Sequence, residues 1–96
     1  MIVEIAEFNA VPGKAEEFLA GLKRGMDIAR KAEGCRAIYI RRQIEDPNHF
    51  IAQLEWDTLE HHTVTFRGSP QFQEYRAQIA GLFVDPIVAR HYETVE

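Results

Sequence analysis

The residue pattern predicts an α+β fold of order β-α-β-β-α-β, a four-stranded antiparallel sheet with its helices on one face. Two periodicities and one set of breaks carry that expectation. Residues 49–56 alternate with a period of two, Phe50, Ala52, Leu54 and Trp56 against Ile51, Gln53 and Glu55, as a half-buried strand does. Residues 14–33 carry Ala15, Phe18, Leu19, Leu22, Met26 and Ala29 as one stripe at helical spacing. Pro12-Gly13, Gly34, the turn Glu45-Asp46-Pro47-Asn48 and Asp85-Pro86 cut the chain into pieces of strand or helix length.

Taken in order, Ile2–Val11 reads as a strand with two apolar faces, Val3 and Ile5 against Ala6, Phe8 and Ala10. The helix Lys14–Glu33 follows, with Glu16 and Glu17 at its positive end and Arg30 and Lys31 at its negative end. Gly34 is its expected left-handed cap. Cys35–Ile44 is a second strand, Ile38 and Ile40 opposed to Ala37 and Tyr39, and the short turn after it makes an antiparallel hairpin with His49–Trp56. Asp57 and Glu60 have the spacing of a capping box. The helix they open puts Leu59, His62 and Phe66 on one face, and Arg67-Gly68 breaks it. Ser69-Pro70 starts another helix, with Pro at the first helical position, and Phe72, Tyr75, Ile79 and Leu82 continue the inward stripe. Ile87–Val95 is the last strand. This is the ferredoxin-like arrangement. Its helix-free sheet face is still partly apolar on the first two strands, so a second copy is the expected cover, giving a homodimer through sheet faces.

Composition narrows the function. Residues 1–96 read as one domain. Net charge is −4 and the basic residues are scattered apart from Arg41-Arg42, which argues against nucleic acid. No apolar run is long enough to span a membrane, and MIVEIAEF lacks the basic region of a signal peptide, so a cytoplasmic location is expected. Cys35 is the only cysteine and reads as a small strand filler. His61 and His62 are adjacent and cannot both ligate one ion, so no metal site is expected.

The element order, the strand ending in Trp56-Asp57, the helix carrying Glu60 and His62, the break Phe66-Arg67-Gly68-Ser69-Pro70 and the closing His91-Tyr92-Glu93 together resemble the antibiotic biosynthesis monooxygenase (ABM) domain over nearly the whole chain. The resemblance implies a dimeric α/β barrel. It also implies an enzyme from a family that contains cofactor-free monooxygenases of phenols, anthrones and hydroquinones, haem-degrading enzymes, and proteins without an assigned reaction. The haem-degrading pattern is not matched: Asn9 sits close to the Pro12-Gly13 turn, the only Trp ends a strand, and no His follows His62 until His91. The reading is therefore a cofactor-independent monooxygenase acting on a small aromatic phenol, anthrone or quinol with O2. The alternative is a non-catalytic dimeric ligand-binding or stress-associated module.

Cofactor-free oxygenation needs a base and a dry cavity, because a deprotonated phenol or enol can give an electron to O2. His62, titratable near neutrality, is the candidate base. Trp56, Phe66, Phe72, Tyr75 and Phe83 are the candidate aromatic walls, with Trp56 or Leu54 as floor. Arg67 either anchors an anionic substrate or caps its own helix, the second being the commoner role. Only one of His91 and Tyr92 can face the cavity, and His49 is expected at the surface. The base reading requires a free His62 nitrogen; with both engaged by protein groups, Tyr75 becomes the next candidate to meet the substrate.

Overall fold

The strand His49–Trp56 (β3) organises the core because its alternation is complete: Phe50, Ala52, Leu54 and Trp56 are all buried while the residues between them are half-exposed. A computed structural model covering residues 1–96 places it between two other strands. The strands Ile2–Ala10 (β1), Cys35–Arg42 (β2) and Phe83–Glu93 (β4) complete a sheet of order β2-β3-β1-β4, with every neighbouring pair antiparallel. The helices Ala15–Ala29 (α1) and Pro70–Ile79 (α2) cover one face. Phe8, Phe18 and Phe50 meet with ring centroids 5.5 and 5.2 Å apart where α1 crosses β1 and β3. Such pairs add about 0.5–1.5 kcal/mol each to the area they bury.

The ferredoxin-like order is thus as predicted, but the expected closure into an α/β barrel does not occur. The sheet is open: β2 and β4 are edge strands with one neighbour each. Four strands are too few to curl round an interior, which takes about eight. Apolar side chains on the inner face are covered by the helices instead. On the other face Tyr39 is 45% and Tyr92 50% exposed.

Several boundaries differ from the sequence reading. The first helix ends at Ala29, and Gly34, at φ 82°, turns the chain five residues later. The last strand begins at Phe83, so Asp85-Pro86 lies inside it, at the irregularity where the pairing with β1 shifts between Glu7 and Asn9. An edge strand tolerates proline there because no ladder donor is lost. Close approach of α1 to α2 depends on Gly21 and Gly25: a Cβ on the first would strike the Gln78 backbone oxygen, and one on the second the Tyr75 ring.

Between β3 and α2 the chain forms a π-helix, His61–Phe66, rather than an α-helical turn. Arg67 N–H reaches back five residues to the His62 carbonyl at 3.1 Å. The wider turn buries His62 and Phe66 and leaves Leu59 40% exposed. The Asp57 capping box does not form. Arg36 of β2 takes the Asp57 carboxylate (Nε to Oδ1, 2.7 Å), and the Thr58 hydroxyl accepts the His61 N–H at 3.2 Å instead. The Ser69 cap is as predicted: its hydroxyl accepts the Phe72 N–H, with Pro70 at the first helical position.

Candidate functional site

A cavity of about 250 Å³ lies between the helical side and the sheet. Its walls are mostly apolar, with Leu54 as floor and Phe66, Phe72 and Tyr75 as aromatic sides. Phe66 meets Phe72 edge-on at 5.6 Å. The polar groups that reach the cavity are Glu4, His62, Arg67, Tyr75 and Arg76.

Glu4 is the residue the sequence reading passed over. It falls on the same face of β1 as Ala6 and Phe8, so the strand carries a carboxylate into the core, where it is 5% exposed. Trp56 Nε1–H donates to its Oε1 at 3.0 Å. Its other oxygen has no protein hydrogen-bond partner, and Glu4 lines the cavity. The signal in the sequence was an acidic residue at inward parity among apolar ones.

His62, 3% exposed, stacks on Trp56 with centroids 5.3 Å apart. Its Nε2 lies 3.4 Å from Glu4 Oε1 and its Nδ1 2.7 Å from His91 Nε2. Nδ1 is therefore hydrogen-bonded to His91, whereas Nε2 makes no hydrogen bond to the protein and lies only within ion-pair distance of Glu4. His91 reaches it because β4 pairs with β1 in a register that sets His91 opposite Glu4. Tyr92 points to the other face of the sheet. The three side chains form one line, Glu4–His62–His91.

Electrostatics decide what this line carries. Burial pushes the Glu4 carboxyl from 4.5 up to about 7, only partly offset by the Trp56 hydrogen bond and the Arg67 charge. Burial, then the charges of Arg67 and His91, pull His62 from 6.5 down to about 4. His91 is lowered by burial and then by Arg67. An ion pair would move both partners the opposite way, so the loose 3.4 Å contact joins a neutral imidazole to a carboxyl that ionises near neutrality. With both imidazoles neutral, one of the facing nitrogens donates and the other accepts. A carboxylate at Glu4 favours the His62 proton on Nε2; a carboxylic acid there favours it on Nδ1.

The other expected site residues fall as follows. Phe66, Phe72, Tyr75 and Arg67 line the cavity. Trp56 lies one layer behind, against His62 and Phe66. Phe83 is away from the cavity, under the Arg76 guanidinium at 5.4 Å. Arg67 does cap its own helix, at the C-cap of the π-helix, where its backbone N–H meets the His62 carbonyl, while its side chain makes no bond to that helix. The Tyr75 hydroxyl has no hydrogen-bond partner in the protein, and burial raises its pKa, so it stays protonated as a donor. His49 is half-buried and linked to Asn9 Oδ1 at 2.9 Å on the far sheet face. No three His, Cys, Asp or Glu side chains converge so as to share a metal ion.

Comparison with known proteins adds the family. Residues 1–78 match the sequence model of the family described as Antibiotic biosynthesis monooxygenase. A Bordetella bronchiseptica protein whose crystal structure was described under the same family name superposes with a TM-score of 0.93 at 33% identity, over 99% of this chain and 97% of that one. A Deinococcus radiodurans protein, at 21% identity and a TM-score of 0.82 over 100% and 94% of the two chains, shares the fold. The Bacillus subtilis (strain 168) protein YczJ, described as uncharacterized, is 26% identical over 95 residues, covering 99% of this chain and all of its own.

Proposed function

The chain belongs to the antibiotic biosynthesis monooxygenase family, and on that premise we propose that it is a cofactor-independent monooxygenase oxidising a small aromatic phenol, anthrone or quinol with O2 in the cavity beside Glu4 and His62. One observation carries the proposal: a buried carboxyl that ionises near neutrality has a free oxygen at an apolar cavity and is backed by a neutral imidazole. The base is then Glu4, which keeps the proton it takes because His62 and His91 stay neutral beside it, and Tyr75 donates to the substrate oxygen.

For a phenol the reaction balances as substrate plus O2 giving p-quinone plus water, the four electrons coming from the phenol and its ring C–H. Glu4 takes the phenol proton and the phenolate passes one electron to O2. The radical pair joins at the ring carbon as a peroxide, which recovers the proton. Loss of the ring C–H proton then forms the second C=O as the O–O bond breaks and hydroxide leaves, taking that proton to become water. A dry cavity favours each step in which charge moves. Oxygen uptake by the purified protein on a panel of phenols, quinols and anthrones tests this, with Glu4→Gln and His62→Ala as controls. Uptake that needs added flavin or metal, or that survives both substitutions, contradicts it.

The bond from His62 Nδ1 to His91, which ties one imidazole nitrogen to the protein, favours the rival, a binding module without turnover; binding across the panel without oxygen uptake would select it. Pairing of two copies through the helix-free sheet face belongs to the same proposal, since Tyr39, Val84 and Tyr92 lie on it about half-exposed. Sedimentation should then give about twice the chain mass of 11.1 kDa. A monomer at micromolar concentration rejects the pairing.

A further inference from the structure

Two guanidinium groups at the cavity have no protein anion to hold them. Arg67 lines it, beside Gly68 in sequence, and Arg76 projects from α2 over the Phe72 and Phe83 rings, 5.9 and 5.4 Å from their centroids. Neither is within ion-pair distance of a carboxylate or donates a hydrogen bond to the protein. By contrast Arg24, Arg30, Arg36, Arg42 and Arg90 are each held by a side chain or a carbonyl. The protein as a whole carries −4. Its one acidic group in the cavity is Glu4, which burial keeps largely uncharged below neutrality. The cavity is thus a positive spot on an acidic molecule, a distribution that draws anions in and turns cations away.

Volume limits the rest of the ligand. A dry cavity of about 150 Å³ accommodates benzene, so about 250 Å³ holds one ring with its substituents, or two fused rings. A third ring would exceed that volume.

We infer that the ligand of this cavity is a one- or two-ring aromatic carboxylate, its hydroxyl end at Glu4 and Tyr75 and its carboxylate on Arg67 and Arg76. The planar guanidinium fork matches a carboxylate bidentately. Stacking on Phe72 and Phe83 holds Arg76 in place before the ligand arrives, which lowers the ordering cost of binding. The inference rests on the proposed function for its phenolic end only; the carboxylate end stands on the two arginines.

Equilibrium binding in the absence of oxygen separates the two. The fluorescence of Trp56, the sole tryptophan, reports occupancy through its stack on His62. The probes are 2,5-dihydroxybenzoate and its neutral parent, hydroquinone. The wild-type protein should bind the carboxylate about 10- to 100-fold tighter, as a charged hydrogen-bonded pair provides. Arg67→Gln should remove most of that preference and Arg67→Gln with Arg76→Met all of it, read as the ratio of the two affinities within each variant. Arg67→Lys should keep part of it. Arg67 has no ion-pair or side-chain hydrogen-bond partner to lose, and the ratio of the two affinities cancels the effect of its charge on Glu4 and His62, which both probes meet alike. Equal affinities in the wild type, binding of neither probe, or a preference that survives the double substitution overturns the inference. Failure of oxygen uptake leaves the binding result intact, whereas uptake on neutral substrates without charge preference removes this inference and leaves the proposed function standing.

Discussion

Replacing Glu4 by Gln isolates the electrostatic cost of carrying a carboxyl into this core. The amide is nearly isosteric and its oxygen can still accept from Trp56. Its folded pKa, about 7, lies above the unfolded 4.5, so the folded state keeps the proton longer. The contribution to stability is full below 4.5 and is lost as pH rises through about 7. At about 1.4 kcal/mol for each factor of ten, the displacement amounts to about 3 kcal/mol. His62 runs the other way, its contribution full above 6.5 and lost as pH falls through about 4. It is present in both proteins and largely drops out of their difference. Urea melts of the two proteins at about pH 5 and about pH 8 should therefore show the variant gaining about 2–3 kcal/mol on the wild type across the interval. For a chain of this size that is a relative rise in melting temperature of more than about 10 °C. A difference that stays flat with pH would mean that Glu4 titrates as a solvated carboxyl, and the buried base would be lost with it.

Trp56→Phe removes the hydrogen bond that holds Glu4 down; the inflection of the stability profile, and of any rate profile, should move to higher pH, and an unmoved inflection would show that bond to be idle. Gly25→Ala places a Cβ 2.6 Å from Tyr75 Cδ1 and 3.3 Å from the Tyr75 carbonyl oxygen. Thermal melts should show a loss of about 1–3 kcal/mol, with ligand affinity falling as Tyr75 is forced toward the cavity. The same change at Gly81, which has nothing nearby, strains only a left-handed backbone and should leave binding unaltered.

What could be read from the sequence was local. β3 was legible because it is buried on one face and alternates without a fault, α1 because its stripe is continuous, and the start of α2 because Ser69-Pro70 carries its own cap. The π-helix was not legible: one extra residue in a turn leaves apolar spacing almost unchanged over six residues. The Asp57 cap failed because Arg36, twenty-one positions away, competes for the carboxylate, and local spacing holds no record of a tertiary partner. Glu4 and His91 were missed as a pair because they meet only through the β1–β4 register, which the irregular stretch around Asp85-Pro86 obscures. The barrel came from family likeness and not from these residues, whose four strands form an open sheet.

The central claim is that Glu4, backed by His62, lets this cavity oxygenate a phenolic substrate with no cofactor. Turnover under ¹⁸O₂, with chelator present and no flavin added, tests it most directly, read by mass spectrometry of the product. One labelled oxygen should appear in the quinone and the other in water, with the yield collapsing in Glu4→Gln. An unlabelled product formed with hydrogen peroxide, a yield that needs flavin or metal, or full turnover by Glu4→Gln would contradict it.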